Sequence, residues 1–479
     1  MELELRKTSS HVIIYSIGNI LLKIVGLLLI PLYTKIFTTY ELGIIGIIES
    51  TSLLLTTVLS LSLSNALLRW FADKNDLNRE KSIVFTILSI NFLCIVFFTL
   101  LIFPFTKQIS KILFNTDLFQ NLIFLLLFNV YIDIINRIPL ALIRIREKSQ
   151  LFTMATVVKA LVTLGGTYFL IKNTQLGIIS VLIGGITGNL AFLFCTSFLL
   201  LHNCKLHFLF SEARGMLSYS IPLVFVGLGT VLINVGDRYV LGFLKDLAEV
   251  GIYHIANKVA SVLNIFIIQA VQLAVLPIAL KALYTEKGKV FLSKIALYLT
   301  VVLCFFFLVI SFFSLDVLRI FTNKDDFLQA NSIIPILLLA YVFDGLKNIY
   351  SYHLLFAKKT LWIALLTIDS AMINILLNIF IIPHYGYHGA AQTTLMTSII
   401  TLIIFGIFAQ KIIFIQYNYP KIILTIVMAI SCFIIHRLFL PNLYSSIVLI
   451  IIFVIMLWLA RVIHIKDFIK KGDFSANQK

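Results

Sequence analysis

Apolar runs of about twenty residues follow one another along this chain with only short polar connections, and that pattern constrains the fold more than any motif does. A run of this length, wound as a helix, crosses the hydrocarbon of a bilayer with its backbone groups bonded internally. The runs fall at roughly 11–33, 42–67, 83–104, 118–142, 151–171, 176–201, 215–236, 249–272, 290–315, 332–356, 361–382, 388–411, 420–440 and 444–463. The expectation is an all-α polytopic membrane protein of about fourteen spans. Composition agrees, since 60% hydrophobic and 13% charged residues in 479 exclude a water-soluble globule.

A formal net charge of +16 would suggest nucleic acid in a soluble chain. Here most Lys and Arg stand in short loops beside the spans, so anionic membrane lipids are the expected partner and nucleic acid is not. Alternate loops carry roughly 23 basic residues against 9, which puts both termini in the cytoplasm. The polar stretch 237–248, with Arg238 and Lys245, is counted among the outer loops. The first run is too long for a signal-peptide core and reads as a retained span. Five cysteines show neither disulfide nor zinc spacing.

The histidines are scattered, no Gly-Lys-Ser/Thr motif occurs, and no loop is long enough to assemble a catalytic site. An enzyme, such as a membrane-embedded polysaccharide polymerase or transferase, is therefore the disfavoured class.

The chain also repeats itself. TTYELGIIGIIES from Thr38 is echoed by DLAEVGIYHIANK from Asp246, so that Glu41 and Gly43 fall opposite Glu249 and Gly251. REKSQLF from Arg146 matches AKKTLW from Ala357, and QLGIISVLIGG from Gln175 matches YHGAAQTTLMT from Tyr387. Three corners at offsets of roughly 208 to 212 residues imply two six-helix lobes in the same orientation, residues 1–210 and 211–412. Residues 413–479 then add spans thirteen and fourteen and a cytoplasmic tail. Gly43 and Gly251 read as close-approach points of an outer gate, each beside a carboxylate at a helix N-terminus.

IPLYTKIFTTYELGI, GDRYVLGFLKDLAEVGIYHIANKVA and IIPHYGYHGAAQTTL resemble the corresponding stretches of bacterial polysaccharide-lipid flippases, the O-antigen and capsule-repeat transporters of the MOP exporter superfamily. The resemblance extends over nearly the whole chain. It implies a bacterial cell-membrane protein whose lobes enclose a cavity open alternately to either side. It also implies an undecaprenyl-diphosphate-linked oligosaccharide as substrate, a polysaccharide polymerase complex as a partner, and no cofactor beyond coupling to Na+ or H+. The alternatives within the superfamily are a multidrug exporter and a lipid II flippase.

Ionisable residues inside spans cost about 2.5 to 3.5 kcal/mol each on insertion scales, so each needs a reason. Lys23, Arg137, Lys159, Lys258 and Lys347 are the candidate cations for an anionic substrate, and Glu49, Asp133, Asp344 and Asp369 the candidate cavity or coupling acids. The competing readings are structural. Lys23 can pair with Glu49, Arg137 with Asp133 at i,i+4, Lys347 with Asp344 at i,i+3, Lys258 with another helix, and Lys159 can snorkel. Arg69, Arg144 and Arg146 are expected at a cytoplasmic gate, where a solvated basic loop is the plainer explanation. Asn374 and Asn378, one turn apart, could hold sodium with Thr393 or Thr394, whereas interhelical amide bonding is the plainer explanation.

Overall fold

The structure, a computed structural model, describes residues 25–71, 76–282, 285–439 and 442–462. Its helices, in chain order, are α1 (Val25–Ile36), α2 (Thr39–Leu59), α3 (Leu63–Trp70), α4 (Leu77–Ile102), α5 (Thr106–Phe114), α6 (Gln120–Ile145), α7 (Ser149–Asn173), α8 (Ile179–His202) and α9 (Phe210–Leu244). There follow α10 (Leu247–Leu263), α11 (Gln269–Ala282), α12 (Glu286–Phe321), α13 (Asp325–Leu328), α14 (Ile334–Phe356), α15 (Thr360–Ile412), α16 (Tyr419–Phe439) and α17 (Leu443–Leu459).

The chain is an all-helical polytopic membrane protein. Among the described residues, ten helical segments are long and apolar enough to cross a membrane, and a pair bent by 41° before α14 makes an eleventh. The 53 residues of α15 hold two expected spans end to end, divided at Gly386 (φ 55°, ψ −136°). The shorter apolar helices α1 and α17 overlap the first and last expected spans.

Two sequence boundaries are corrected. The run 42–67 is not one span: it breaks after α2, where Leu61 and Ser62 take left-handed φ values of 46° and 51° before α3 begins. Serines here compete with the helix for backbone bonds, and Ser60 Oγ bonds the Thr57 carbonyl. The seventh run does not end at residue 236. α9 continues to Leu244 and carries Asp237 and Arg238 into the protein interior, 2% and 9% exposed, so Arg238 is no loop residue. Hydropathy falls at two adjacent charges whether or not neighbouring helices satisfy them, and here they do.

Chain contacts group the protein into two compact units. The first comprises Met1–Val259, Leu318–Ile333 and Thr360–Thr397. At one end its core joins Leu63, Leu67, Ile83, Ile87, Leu142 and Phe152 of α3, α4, α6 and α7. Small residues let α7 and α8 pack closely, because a Cβ on Gly184 or Gly188 would overlap the Thr167 or Thr163 hydroxyl.

The second unit comprises Ala260–Val317, Ile334–Lys359 and Ser398–Lys479. His353, fully buried, ties α14 to the segment after α15: its Nδ1 lies 3.0 Å from the Ile413 carbonyl and its Nε2 2.7 Å from the Tyr417 hydroxyl. A carbonyl only accepts, so Nδ1 carries the proton and Nε2 accepts from Tyr417. An apolar cavity of about 530 Å³ lies among α12, α14, α15 and α16, with Tyr350, Tyr419 and Gln410 in its wall.

Candidate functional site

The polar residues of the first unit gather in three clusters and a clasp. The clasp forms where α2 and α10 begin. Thr38 caps α2 by accepting from the Glu41 amide at 3.2 Å, while Glu41 Oε2 accepts from the Thr38 amide at 2.8 Å, a reciprocal capping box. Asp246 caps α10 by accepting from the Glu249 amide at 2.8 Å. Glu249, the repeat partner of Glu41, works elsewhere: its Oε2 accepts at 2.8 Å from the Tyr387 amide, just past the break in α15. Gly386 must be glycine there, since its φ is positive and a Cβ would overlap Glu249.

At the same end a Cβ on Gly43 would overlap the Leu247 carbonyl oxygen, and one on Gly251 the Thr39 carbonyl oxygen. Lys324 adds a bridge, its Nζ donating to the last carbonyls of the α1 segment, Phe37 at 2.7 Å and Ile36 at 3.1 Å.

Deeper along the α2–α10 contact, Lys258 Nζ donates to Glu49 Oε1 at 2.8 Å. His254 Nε2 stands 3.8 Å from Glu49 Oε2, with its ring against Gly46. Arg238 of α9 reaches the same seam and donates to Ser50 Oγ at 3.1 Å. His254 is 2% exposed, and neither of its ring nitrogens nor Arg238 Nε has a hydrogen-bond partner.

The second cluster surrounds Asp237. Its carboxylate accepts from Tyr253 Oη at 2.5 Å, Thr394 Oγ1 at 2.8 Å and Asn378 Nδ2 at 2.6 Å. Asn374 Oδ1 lies 3.1 Å from Asn378 Nδ2, and Thr393 donates to Asn378 Oδ1. Among the described residues no basic side chain lies within ion-pair distance of Asp237. A buried carboxylate held only by neutral donors, with amide and hydroxyl oxygens beside it, is chemistry that fits a small cation or a proton.

The third cluster lies where two cavities of the first unit meet. Asp133 Oδ2 is 3.8 Å from Arg137 Nε, and its Oδ1 is 3.9 Å from Lys159 Nζ. All three line both a cavity of about 340 Å³ that extends to Arg144 and one of about 410 Å³ that extends to Glu49 and Asn189. Two cations share one carboxylate, so the trio carries a net positive charge in a partly solvated wall. Lys159 also stands 5.9 Å from the Phe192 ring.

Toward the opposite end from the clasp, Arg146 pairs with the buried Glu80 at 2.6 Å and Arg79 with Glu212 at 2.8 Å. Arg69 stacks 4.5 Å over Tyr219. Arg144 is exposed and faces the smaller cavity.

The expected residues thus divide. Arg137, Lys159 and Asp133 come together in a cavity, and Glu49 lines its wall. Lys258 is not a solitary cation but the partner of Glu49, because α2 and α10 run side by side from their glycines. Lys347 bonds Asp344 at 2.7 Å in the second unit, while Asp369 is exposed on α15. Arg146 makes a structural pair in place of a gate contact, since Glu80 would otherwise be a buried, uncompensated charge. Asn374, Asn378 and Thr394 converge, and they do so on Asp237, an acid that hydropathy alone places in a loop. The apolar run Tyr239–Leu244 after Asp237 and Arg238 was the signal that the helix continues. Lys23 lies outside the described residues.

In sequence, the family described as "Polysaccharide biosynthesis protein" matches residues 9–283. No curated protein matches the chain significantly. Among solved structures, the fold is similar to that of lipid II flippase MurJ in an inward closed conformation, with a TM-score of 0.77 and 18% identity over 94% of this chain and 100% of the other. A multidrug resistance MATE family transporter of the MOP superfamily, inward-facing, gives a TM-score of 0.68 and 12% identity over 81% and 94%. A mutant Vibrio cholerae MATE transporter gives 0.54 and 14% over 85% and 96%.

Proposed function

The chain belongs to the polysaccharide biosynthesis protein family, and from that membership we propose that it is a flippase for an undecaprenyl-diphosphate-linked oligosaccharide. It carries the repeat unit from the cytoplasmic to the outer leaflet by alternating access, for O-antigen, capsule or exopolysaccharide assembly. The observation that carries this reading is the Asp133, Arg137 and Lys159 cluster. A diphosphate that leaves water needs fixed cations in its path, and a carboxylate shared between two cations leaves net positive charge to meet it. Cavities that suit cationic drugs would present the reverse balance.

The clasp at the Gly43 end and the cavity that reaches Arg144 support an inward-facing arrangement, with the clasp on the outer side and both termini in the cytoplasm. Arg144 then draws the anionic headgroup toward the cavity, and the two cavities offer the amide side chains of Asn129, Asn136 and Asn189 to sugar hydroxyls. Asp237 with Asn374, Asn378 and Thr394 supports coupling to Na+ or H+, since occupancy changes the charge of a buried carboxylate that ties α9 to α10 and α15. Polymerase components and anionic lipids are the remaining partners this role requires.

The test is complementation of a deletion strain. Arg137→Gln combined with Lys159→Gln should abolish surface polysaccharide at normal protein abundance and leave lipid-linked repeat units in the inner leaflet. Full complementation by that variant would refute the reading.

A further inference from the structure

Glu49 is an unusual residue in this seam. Its side chain is 41% exposed and lines the larger cavity, yet its carboxylate also holds Lys258 at 2.8 Å. Three donor-bearing side chains stand around it, and it bonds one of them. Lys258 and His254 approach from α10, and Arg238 from α9 bonds the neighbouring Ser50. His254 and the Nε of Arg238 are buried without hydrogen-bond partners. Such unpaired polar groups are costly, and their clustering beside one acid leaves donors for an anion with more acceptor oxygens to satisfy.

We infer that Glu49 is an internal competitor for the transported anion: its carboxylate holds Lys258 beside the His254 and Arg238 side chains, and a diphosphate arriving through the cavity displaces it. This rests on the flippase reading and adds to it a binding and release device. A diphosphate has more acceptor oxygens than a carboxylate and can satisfy donors that Glu49 leaves unpaired. Glu49, carried on α2 at the cavity wall, swings back as the anion departs, so the cations are never left bare and release is not blocked by over-tight binding. The repeat explains how the device arose structurally. At the offset of 208 that superposes Gly43 on Gly251, Gly46 corresponds to His254 and Ser50 to Lys258. The first repeat supplies small residues where the second supplies donors, and Glu49 enters the space between them.

The experiment uses the full chain in neutral phosphatidylcholine nanodiscs, titrated with farnesyl diphosphate and, as control, farnesol. Glu49→Gln removes the competitor and should bind farnesyl diphosphate about tenfold more tightly than the parent, within the range of close charge-pair couplings, while farnesol binding is unchanged. Glu49→Asp, which keeps the charge, should show no such gain, and Lys258→Gln should bind more weakly. In the double variant Glu49→Gln/Lys258→Gln the gain should vanish, because the two residues act as one unit. A merely structural pair predicts the opposite sign, since breaking it loosens the seam and weakens binding. Unchanged or weaker diphosphate binding by Glu49→Gln, including no binding at all, overturns the inference, as does a gain that survives loss of Lys258. If the gain is found but deletion of the protein leaves surface polysaccharide intact, the anion site stands and the substrate assignment falls.

Discussion

Gly43 and Gly251 meet across the α2–α10 contact so that a side chain on either would overlap a backbone carbonyl of the other helix, Leu247 or Thr39. The relation is reciprocal, as residues 39 and 247 are themselves repeat equivalents at the same offset. A contact in which each partner meets the equivalent of the other is what a two-fold axis produces. Each helix presents its glycine to the carbonyl four residues before the glycine of the other, so the crossing is self-complementary.

Replacing either glycine by alanine should disfavour this close contact by about 1 to 3 kcal/mol, and leucine by more. A cysteine at Ser50, buried in the same seam, should then become reactive to an impermeant thiol reagent in intact cells, and export should drop. Unaltered reactivity together with normal export would show that the crossing need not close so tightly.

Asp237→Asn keeps the shape of the buried cluster and removes its charge. In membrane vesicles with an imposed Na+ or H+ gradient, translocation of a fluorescent lipid-linked oligosaccharide should lose its gradient dependence and slow by about tenfold or more, the scale of a lost charge-assisted interaction. A variant that still responds fully to both gradients would move the coupling site elsewhere.

Arg144 and Arg146 should separate in their effects. Arg146→Gln strands the buried Glu80 and should lower stability by about 1 to 3 kcal/mol, less than for a fully buried pair because Arg146 is partly solvated. Arg144→Gln should leave the melting temperature of the purified protein unchanged and reduce transport severalfold, with a weaker dependence on ionic strength. Equal melting temperatures for the two variants would contradict the assignment of Arg146 to a structural pair.

The proposed orientation has its own test. Cysteines placed singly at Lys172, where α7 ends, and at Lys359, between α14 and α15, should differ in intact cells: the first labelled by an impermeant reagent, the second not. Labelling at Lys359 would invert the assignment of the termini.

What the sequence determined by itself was the class of molecule and the place of one close helix contact. Twenty-residue apolar runs leave a chain no alternative to helices in a bilayer, since only there are both side chains and backbone groups satisfied. The Glu41/Gly43 and Glu249/Gly251 echo marks the α2–α10 crossing in the sequence, because close packing needs a small residue at a fixed place. The i,i+3 and i,i+4 pairs, Asp344 with Lys347 and Asp133 with Arg137, were also legible, being set by helical periodicity alone. Tertiary structure decided everything that depends on which helix stands beside which. Glu49 took Lys258 as its partner, Lys159 joined Asp133, Glu80 claimed Arg146, and Asp237 moved from an expected loop to the centre of a buried network with Tyr253, Asn378 and Thr394. Periodicity states the depth and face of a side chain on its own helix. The rotation and neighbours of that helix come from packing among residues hundreds of positions apart, and those neighbours settle whether a charge in the membrane is paired, caged by neutral donors or held at a cavity wall.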